Sequence, residues 1–298
     1  MSGDMESSAI PLAVIGGSGF YRMAGLTEVE EVSFETPFGA PSDAIVLGTL
    51  AGVRMAFLPR HGAGHRLTPS ELPSRANVWA LKRLGVERIV AVNAVGSLRE
   101  EIAPLHVVVP DQLIDRTQGR PGTFFGEGLV AHVALDEPFC PVLSGLLAGA
   151  AEAEGATVHR GGACVVVEGP AFSTQAESRL YRSWGADVIG MTTLPEAKLA
   201  REAEVCYASL ALVTDYDTWH ATHETVSAGL ILANLQRNVA TAQRVVAAVA
   251  GRLPAARDCR CATALANAIV TPPEIVPEET KRRLAPIIER YMPVGAAG

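Results

Sequence analysis

The chain has 298 residues, 48% hydrophobic and 19% charged; such a chain can bury one large α/β core or two small ones, and is neither disordered nor a coiled coil. Its 25 Lys and Arg stand against 32 Asp and Glu, a formal charge of −7, without the basic surplus of a nucleic-acid binder. No apolar run reaches the length of a membrane span, and the opening Met1-Ser2-Gly3-Asp4-Met5-Glu6 is acidic where a signal peptide would be basic, so a soluble, cytoplasmic protein is expected.

Residues 11–15 form a short apolar run that feeds Gly16-Gly17-Ser18-Gly19, a buried strand entering a glycine turn. That turn reads either as a plain tight turn or as a nest of N–H groups and one hydroxyl for an anion. Arg22 stands where a dinucleotide fingerprint needs its third glycine, and no Walker lysine follows. Residues 44–50 and 53–58, parted by Ala51-Gly52, predict a hairpin. The second strand runs into Pro59-Arg60-His61-Gly62. There arginine offers a planar fork for phosphate or carboxylate, and histidine a donor that can carry charge; the bland reading is a solvated surface turn.

Helical spacing over 74–84 stops at Gly85, and a strand over 88–95 ends in Asn93-Ala94-Val95-Gly96-Ser97. One further strand is expected over 107–114. Beyond a loop rich in Gly and Phe come a helix at 141–154, a strand at 163–168 and a helix at 175–184. The strand at 163–168 is followed by Gly169-Pro170-Ala171-Phe172-Ser173-Thr174, in which Phe172 could stack a base or simply join the core beside a Ser/Thr helix cap. A strand at 188–191 leads through Met191-Thr192-Thr193 into a helix at 195–204 with Pro195 at its first position. The last strand, 207–214, ends in Asp215-Tyr216-Asp217. These two carboxylates can accept from a nitrogenous base, and one can hold a proton if burial raises its pKa. A long helix is expected over 225–249 and a short charged one over 278–291.

Polar residues thus stand at the ends of six successive strands, where open α/β sheets bind ligands. Anion donors, an aromatic platform and carboxylate acceptors are present, without a nucleophilic triad, a metal-ligand motif or an organic-cofactor motif. The inventory suggests displacement on a nucleoside by bound phosphate, with phosphate as co-substrate and no cofactor.

Several segments carry a resemblance: Val14 to Gly19, Glu35-Thr36-Pro37-Phe38-Gly39, Arg60-His61-Gly62, Ala76-Asn77-Val78-Trp79, Gly96-Ser97-Leu98-Arg99-Glu100-Glu101, Glu168-Gly169-Pro170, Trp184-Gly185-Ala186-Asp187 and Val213-Thr214-Asp215-Tyr216-Asp217. The chain resembles the methylthioadenosine phosphorylases of the trimeric purine nucleoside phosphorylase superfamily. The resemblance implies a single-domain α/β fold over residues 1–253, with a mixed central sheet flanked by helices and a C-terminal extension, 254–298, packed on it. It further implies phosphorolysis of S-methyl-5′-thioadenosine, with 5′-deoxyadenosine as a further substrate, in a homotrimer or dimer of trimers. Phosphate would lie against Ser18, Arg60, His61, Asn93, Ala94 and Thr192, and ribose against Met191. The purine would meet Phe172, Asp215, Tyr216 and Asp217, with Asp215 and Asp217 catalytic. Ser173 and Ala228 would tune specificity, and His132 would serve the 5′ pocket of a neighbouring subunit.

Departures accompany the match. Asn93 stands where these enzymes usually have threonine, Gly190 where they have asparagine, and Ala171 where they have arginine. The first two resemble 6-oxopurine phosphorylases, so a methylthioinosine or 6-oxopurine enzyme is the alternative, and a non-catalytic nucleoside-binding module is a third reading. The paired carboxylates favour adenine, whose 6-amino group donates where a 6-oxo group accepts.

Five cysteines do not make a disulfide framework. Cys259-Arg260-Cys261 lies in an extension that resembles that of archaeal members, some of which bridge such a pair; Cys140 and Cys206 match positions bridged in those relatives. Zinc would need two ligands beyond this pair, and neighbouring sequence supplies none. Free thiols and no metal are expected.

Overall fold

Alternation within the central strands decides the layering. The computed structural model describes residues 10–17, 23–220 and 227–293. In β1, Leu12–Gly16, the side chains of Leu12 and Val14 enter one apolar cluster and those of Ala13 and Ile15 the other. In β11, Cys206–Asp215, every residue is buried; Tyr207, Ala211 and Val213 face one cluster, while Ala208, Leu210 and Leu212 face the second. Strands apolar on both faces need helices on both. Helices α1 (Ser74–Arg83), α4 (Thr193–Glu202) and α6 (Glu278–Ile288) supply the first layer, α2 (Pro141–Ala153) and α5 (Ala228–Ala250) the second. The expected mixed α/β architecture is the one observed.

Antiparallel β3 (Ile45–Leu50) and β4 (Val53–Pro59) form the predicted hairpin around Ala51-Gly52. The sheet runs through β2 (Thr27–Val32), β3, β4, β1 and β5 (Arg88–Ser97) to β10 (Val188–Gly190), β9 (Ala163–Val167) and β7 (Gln112–Arg116). A branch leaves β5 through β11 to β6 (Val107–Val109) and β8 (Val158–Arg160). The fork lies within β5. One edge of β5 pairs with β11 from Arg88 to Gly96; the other pairs with β1 at Ile89–Ala91 and with antiparallel β10 at Gly96–Ser97. Between those two partners that edge is open, and Ala94 is the one exposed residue of the strand.

Three elements differ from the sequence reading. The single strand expected over 107–114 is two, β6 and β7, parted at Pro110, which cannot donate to a ladder; the halves go to different branches of the fork. Strand β8, Val158–Arg160, has no counterpart in the sequence reading, whereas the regular turns of α4 run from Pro195 as expected, Leu194 before it being extended. Strand β2, Thr-Glu-Val-Glu-Glu-Val, lacks the apolar content of a strand because it is a solvent-facing edge.

The segment after residue 253 is part of the core. Leu284, Ile287, Ile288 and Met292 are buried in the same cluster as α1 and α4, and the Trp79 indole donates to the Arg283 carbonyl at 3.0 Å. The fold also corrects the cysteine argument: the Sγ atoms of Cys140, Cys206, Cys259 and Cys261 all lie within 4.8 Å of one another, so the thiols missing from the tail's own sequence come from α2 and β11. Among the described residues no helix is long and apolar enough to cross a membrane.

Candidate active site

At the fork, the first side chain after β4 fills the place of a missing strand. Arg60 is 3% exposed. Its Nη1 donates to the Val92 carbonyl of β5 at 2.8 Å and its Nη2 to the Ile15 carbonyl of β1 at 3.3 Å, where the ladder between those strands has run out. Nε and Nη2 also reach the two carboxylate oxygens of Glu196 on α4, at 2.6 and 3.1 Å, and the Tyr207 hydroxyl donates to Glu196 Oε2 at 2.9 Å. The sequence reading gave the whole fork of Arg60 to an anion; the structure commits it to protein, with one Nη1 hydrogen remaining. Burial opposes the charge on Arg60, but the paired carboxylate holds its pKa above the ordinary value.

His61 also differs from expectation. Its Nδ1 lies 2.8 Å from the Leu67 carbonyl, so that nitrogen carries the hydrogen, and the ring stacks on His65 at 4.1 Å. Burial, aided by the adjacent Arg60 charge, pulls its pKa down to about 4. Near neutral pH His61 is therefore uncharged and offers Nε2 as an acceptor, where sequence reasoning had supposed a charged donor.

The open edge of β5 continues the site. Ser209 donates to Asn93 Oδ1 at 3.0 Å, and Asn93 Nδ2 donates to Thr192 Oγ1 at 2.8 Å. Thr192 thus accepts from within the protein, and its own hydroxyl hydrogen is aimed elsewhere. Asn93, expected as a direct contact, is buried with its amide spent on Ser209 and Thr192. Gly16 closes β1 beside Arg60, its carbonyl accepting from the Arg60 amide at 2.9 Å. Ser18 lies outside the described residues.

The carboxylates sit where the ladder between β11 and β5 slips register, between Val213 and Asp215; such irregularities re-aim side chains beside sites. Asp215 accepts from the Thr214 hydroxyl at 2.7 Å and from the Asp217 amide at 2.8 Å. Asp217 has a left-handed backbone (φ +48°), and its buried Oδ2 has no hydrogen bond of good geometry among the described residues, the Ser178 hydroxyl being the nearby donor that favours its charged form. Burial raises the pKa of both, and Asp215 adds repulsion at Asp217. Gly96 makes room for them: a Cβ there would lie 2.9 Å from Asp215 Oδ1 and 3.3 Å from Asp217 Cβ.

Met191 rests on Gly169, where a Cβ would stand 2.5 Å from its sulfur. Phe172 is 42% exposed on the turn before α3 (Gln175–Ser183), and Ser173 beside it is half-buried. Thr174 caps α3, receiving the Glu177 amide. The Tyr216 hydroxyl donates to the Glu100 carbonyl at 3.2 Å. Ala228 is the first residue of α5, its side chain lying outside the described part. His132 stands apart, exposed beside a cleft shared with Arg201, Arg260 and Asn267, its amide bound to the Ala268 carbonyl.

Sequence reasoning missed the residues that hold these loops. Arg120, buried in the Gly-rich loop, bonds both oxygens of Glu168 and the carbonyls of Met191 and Leu194. Asn234 Nδ2 on α5 donates to the Thr214 carbonyl at 2.7 Å, and the Trp219 indole donates to the Ser97 carbonyl at 2.8 Å. A loop arginine or a mid-helix asparagine has no local pattern that separates it from a solvated residue.

The phosphorylase superfamily model matches residues 11–251. The chain is 59% identical to an S-methyl-5′-thioadenosine phosphorylase of Gloeobacter violaceus over 94% of this chain and 95% of the relative. It is 56% identical to that of Geobacter sulfurreducens, over 94% and 99%. A crystal structure of methylthioadenosine phosphorylase from an antarctic soil metagenomic library superposes with a TM-score of 0.89 at 51% identity, covering 94% of this chain and 99% of that one. A Schistosoma mansoni methylthioadenosine phosphorylase in complex with adenine gives a TM-score of 0.80 at 34% identity, over 94% and 98%.

Two outcomes follow from this geometry. Arg60→Ala strands the buried Glu196 carboxylate, so the variant should lose about 3–5 kcal/mol of stability, read by denaturant unfolding; an unchanged midpoint would contradict the role of the pair. For His61, the folded pKa of about 4 lies below its ordinary 6.5, so the unfolded chain binds the extra proton first. The stability of the parent relative to His61→Gln should be constant above pH 6.5 and decline as pH falls toward 4, measured by denaturation across that range.

Proposed function

The chain belongs to the phosphorylase superfamily, and from that membership we propose that it cleaves S-methyl-5′-thioadenosine with inorganic phosphate to adenine and 5-methylthioribose 1-phosphate. The observation that carries the reading is the buried Oδ2 of Asp217, with no well-formed hydrogen bond among the described residues, beside Asp215, both carboxyls with raised pKa. A buried acceptor without a donor is costly, and the N–H groups of an aminopurine supply one. The relatives named for this reaction, matched over nearly their whole length, support the same substrate.

In this reading phosphate sits at the open edge of β5, held by Ser18, the backbone at Ala94, the Thr192 hydroxyl and the remaining Nη1 hydrogen of Arg60, with Asn93 orienting Thr192. Neutral His61 accepts the O–H of monoprotonated phosphate through Nε2. Ribose lies on Met191 and the base on Phe172, with Tyr216 and Ser173 bordering it. A phosphate oxygen bonds to C1′ as the C1′–N9 bond breaks and its electron pair passes to the purine. The oxocarbenium-like charge is stabilised by the adjacent anion. The purine takes a proton at N7 from Asp217 or Asp215, whose burial keeps a proton available, while the other carboxylate accepts from the 6-amino group.

No organic cofactor enters this chemistry; phosphate is the co-substrate. The assembly in this reading is a homotrimer or dimer of trimers, with His132 lent to a neighbour's 5′ pocket and Ala228 shaping it.

A panel of methylthioadenosine, 5′-deoxyadenosine, adenosine and methylthioinosine, each with and without phosphate, tests the reading. Adenine release should require phosphate and be fastest with methylthioadenosine. Binding without turnover would leave a nucleoside-binding module, and a preference for methylthioinosine would favour the 6-oxopurine alternative. In Asp215→Asn/Asp217→Asn the preference for 6-amino over 6-oxo substrates should fall by roughly ten- to a hundredfold in kcat/KM; retained preference would show that other groups read the base.

A further inference from the structure

The four clustered thiols lie outside the chemistry above and take no part in it. Cys140 is the N-cap of α2, its amide donating to the Tyr207 carbonyl at 2.8 Å. Cys206 opens β11, while Cys259 and Cys261 flank Arg260 at the start of the tail. Three of the four are buried, Cys259 only partly, and all belong to the apolar cluster under α2 and α5. Arg260 pairs with Asp136 and Glu137, which fastens the tail to the loop leading into Cys140.

From this geometry we propose that Cys140, Cys206, Cys259 and Cys261 form a tetrahedral four-thiolate site for one structural zinc ion. Zinc–thiolate bonds of about 2.3 Å place the sulfurs of a tetrahedron about 3.8 Å apart. Here all four ligand atoms lie within 4.8 Å of one another, and Cys206 and Cys259 are 3.3 Å apart. The arrangement is four-cornered: the Cys140 thiol meets those of Cys206, Cys261 and Cys259, whereas two disulfides would sort the thiols into separate pairs. The sulfurs are also too closely gathered to embrace an iron–sulfur cubane. A narrow cleft lined by Arg88, Leu143, Leu146, Pro254 and Arg257 leads to Cys140, Cys206 and Cys259 and gives an ion an entry path.

Binding is balanced as Zn²⁺ plus four thiols giving a tetrathiolate centre of charge −2 and four released protons. The cleft is lined by two arginines, Arg88 and Arg257, against one acid, Asp258, and α2 points its positive end at Cys140. The ion joins α2, β11 and the tail at one point and so fixes where the extension departs from the catalytic core. The site is independent of the nucleoside reading and survives its failure.

The test is metal content. The full chain, purified with reductant and without chelator, should carry close to one zinc per chain. An organomercurial should release that zinc in step with modification of four thiols, and the metal-free reduced chain should take up cobalt(II) with the intense absorption of a tetrahedral tetrathiolate. Cys261→Ser should lose both signals, with Cys259→Ser as the second variant should the first fail to fold. Cys164→Ser, outside the cluster, should keep them. A metal-free chain that stays colourless with cobalt(II), or one in which denaturation without reductant exposes a single free thiol, the other four being bridged, would overturn the proposal.

Discussion

The fork in the sheet has to be held open, and one buried ion pair does it. Two strands leave the same edge of β5 in succession, exposing carbonyls between them that no further strand can reach. Arg60 takes those carbonyls and in the same motion binds Glu196. A buried pair of this kind offsets its desolvation only with further hydrogen bonds to its remaining donors and acceptors; two backbone carbonyls serve Arg60, all but one Nη1 hydrogen, and the Tyr207 hydroxyl donates to the carboxylate. The end of β4, the first turn of α4 and the start of β11 are thereby tied to one point. His61 and Thr192, which the proposed reaction sets against phosphate, flank two of those elements, β4 and α4.

Charge within the site is arranged by burial more than by partners. His61 is driven neutral and the two aspartates are driven toward protonation by the same loss of water. One end of the cleft therefore presents an acceptor to an acidic O–H, and the other presents carboxyls able to part with a proton. The polarity suits an anion entering at β4 and a base leaving at β11.

Much of this was legible in the sequence because the elements that bear the site are the least ambiguous. β1, β5 and β11 are apolar on both faces, and the polar residues at their ends break that pattern sharply. Legibility failed where a residue's role depends on a distant partner. Arg60 reads as an anion binder, because nothing local discloses Glu196, which lies 136 residues on. Arg120 and Asn234 give no local sign of the carbonyls they hold. The same blindness hid the thiol cluster: Cys259 and Cys261 are visible as a pair, but their companions lie on a strand and a helix remote in sequence. Edge strand β2 was missed for another reason, since its glutamates answer to solvent and not to a core.

A sheet that forks has three ends, and each is an invitation to pair with another chain. The ends here are β2, β7 and β8, and each is closed to that pairing in its own way. β8 is only three residues long and ends in Arg160. β7 carries Asp115 tied to Lys198 and Arg116 laid toward the Trp184 ring. β2 carries Glu28, Glu30 and Glu31 along its exposed length, so a second copy arriving edge to edge would set like charges across the seam. The branching that makes room for a ligand thus brings a third border to defend, and the surplus of acid in the composition is partly spent along it.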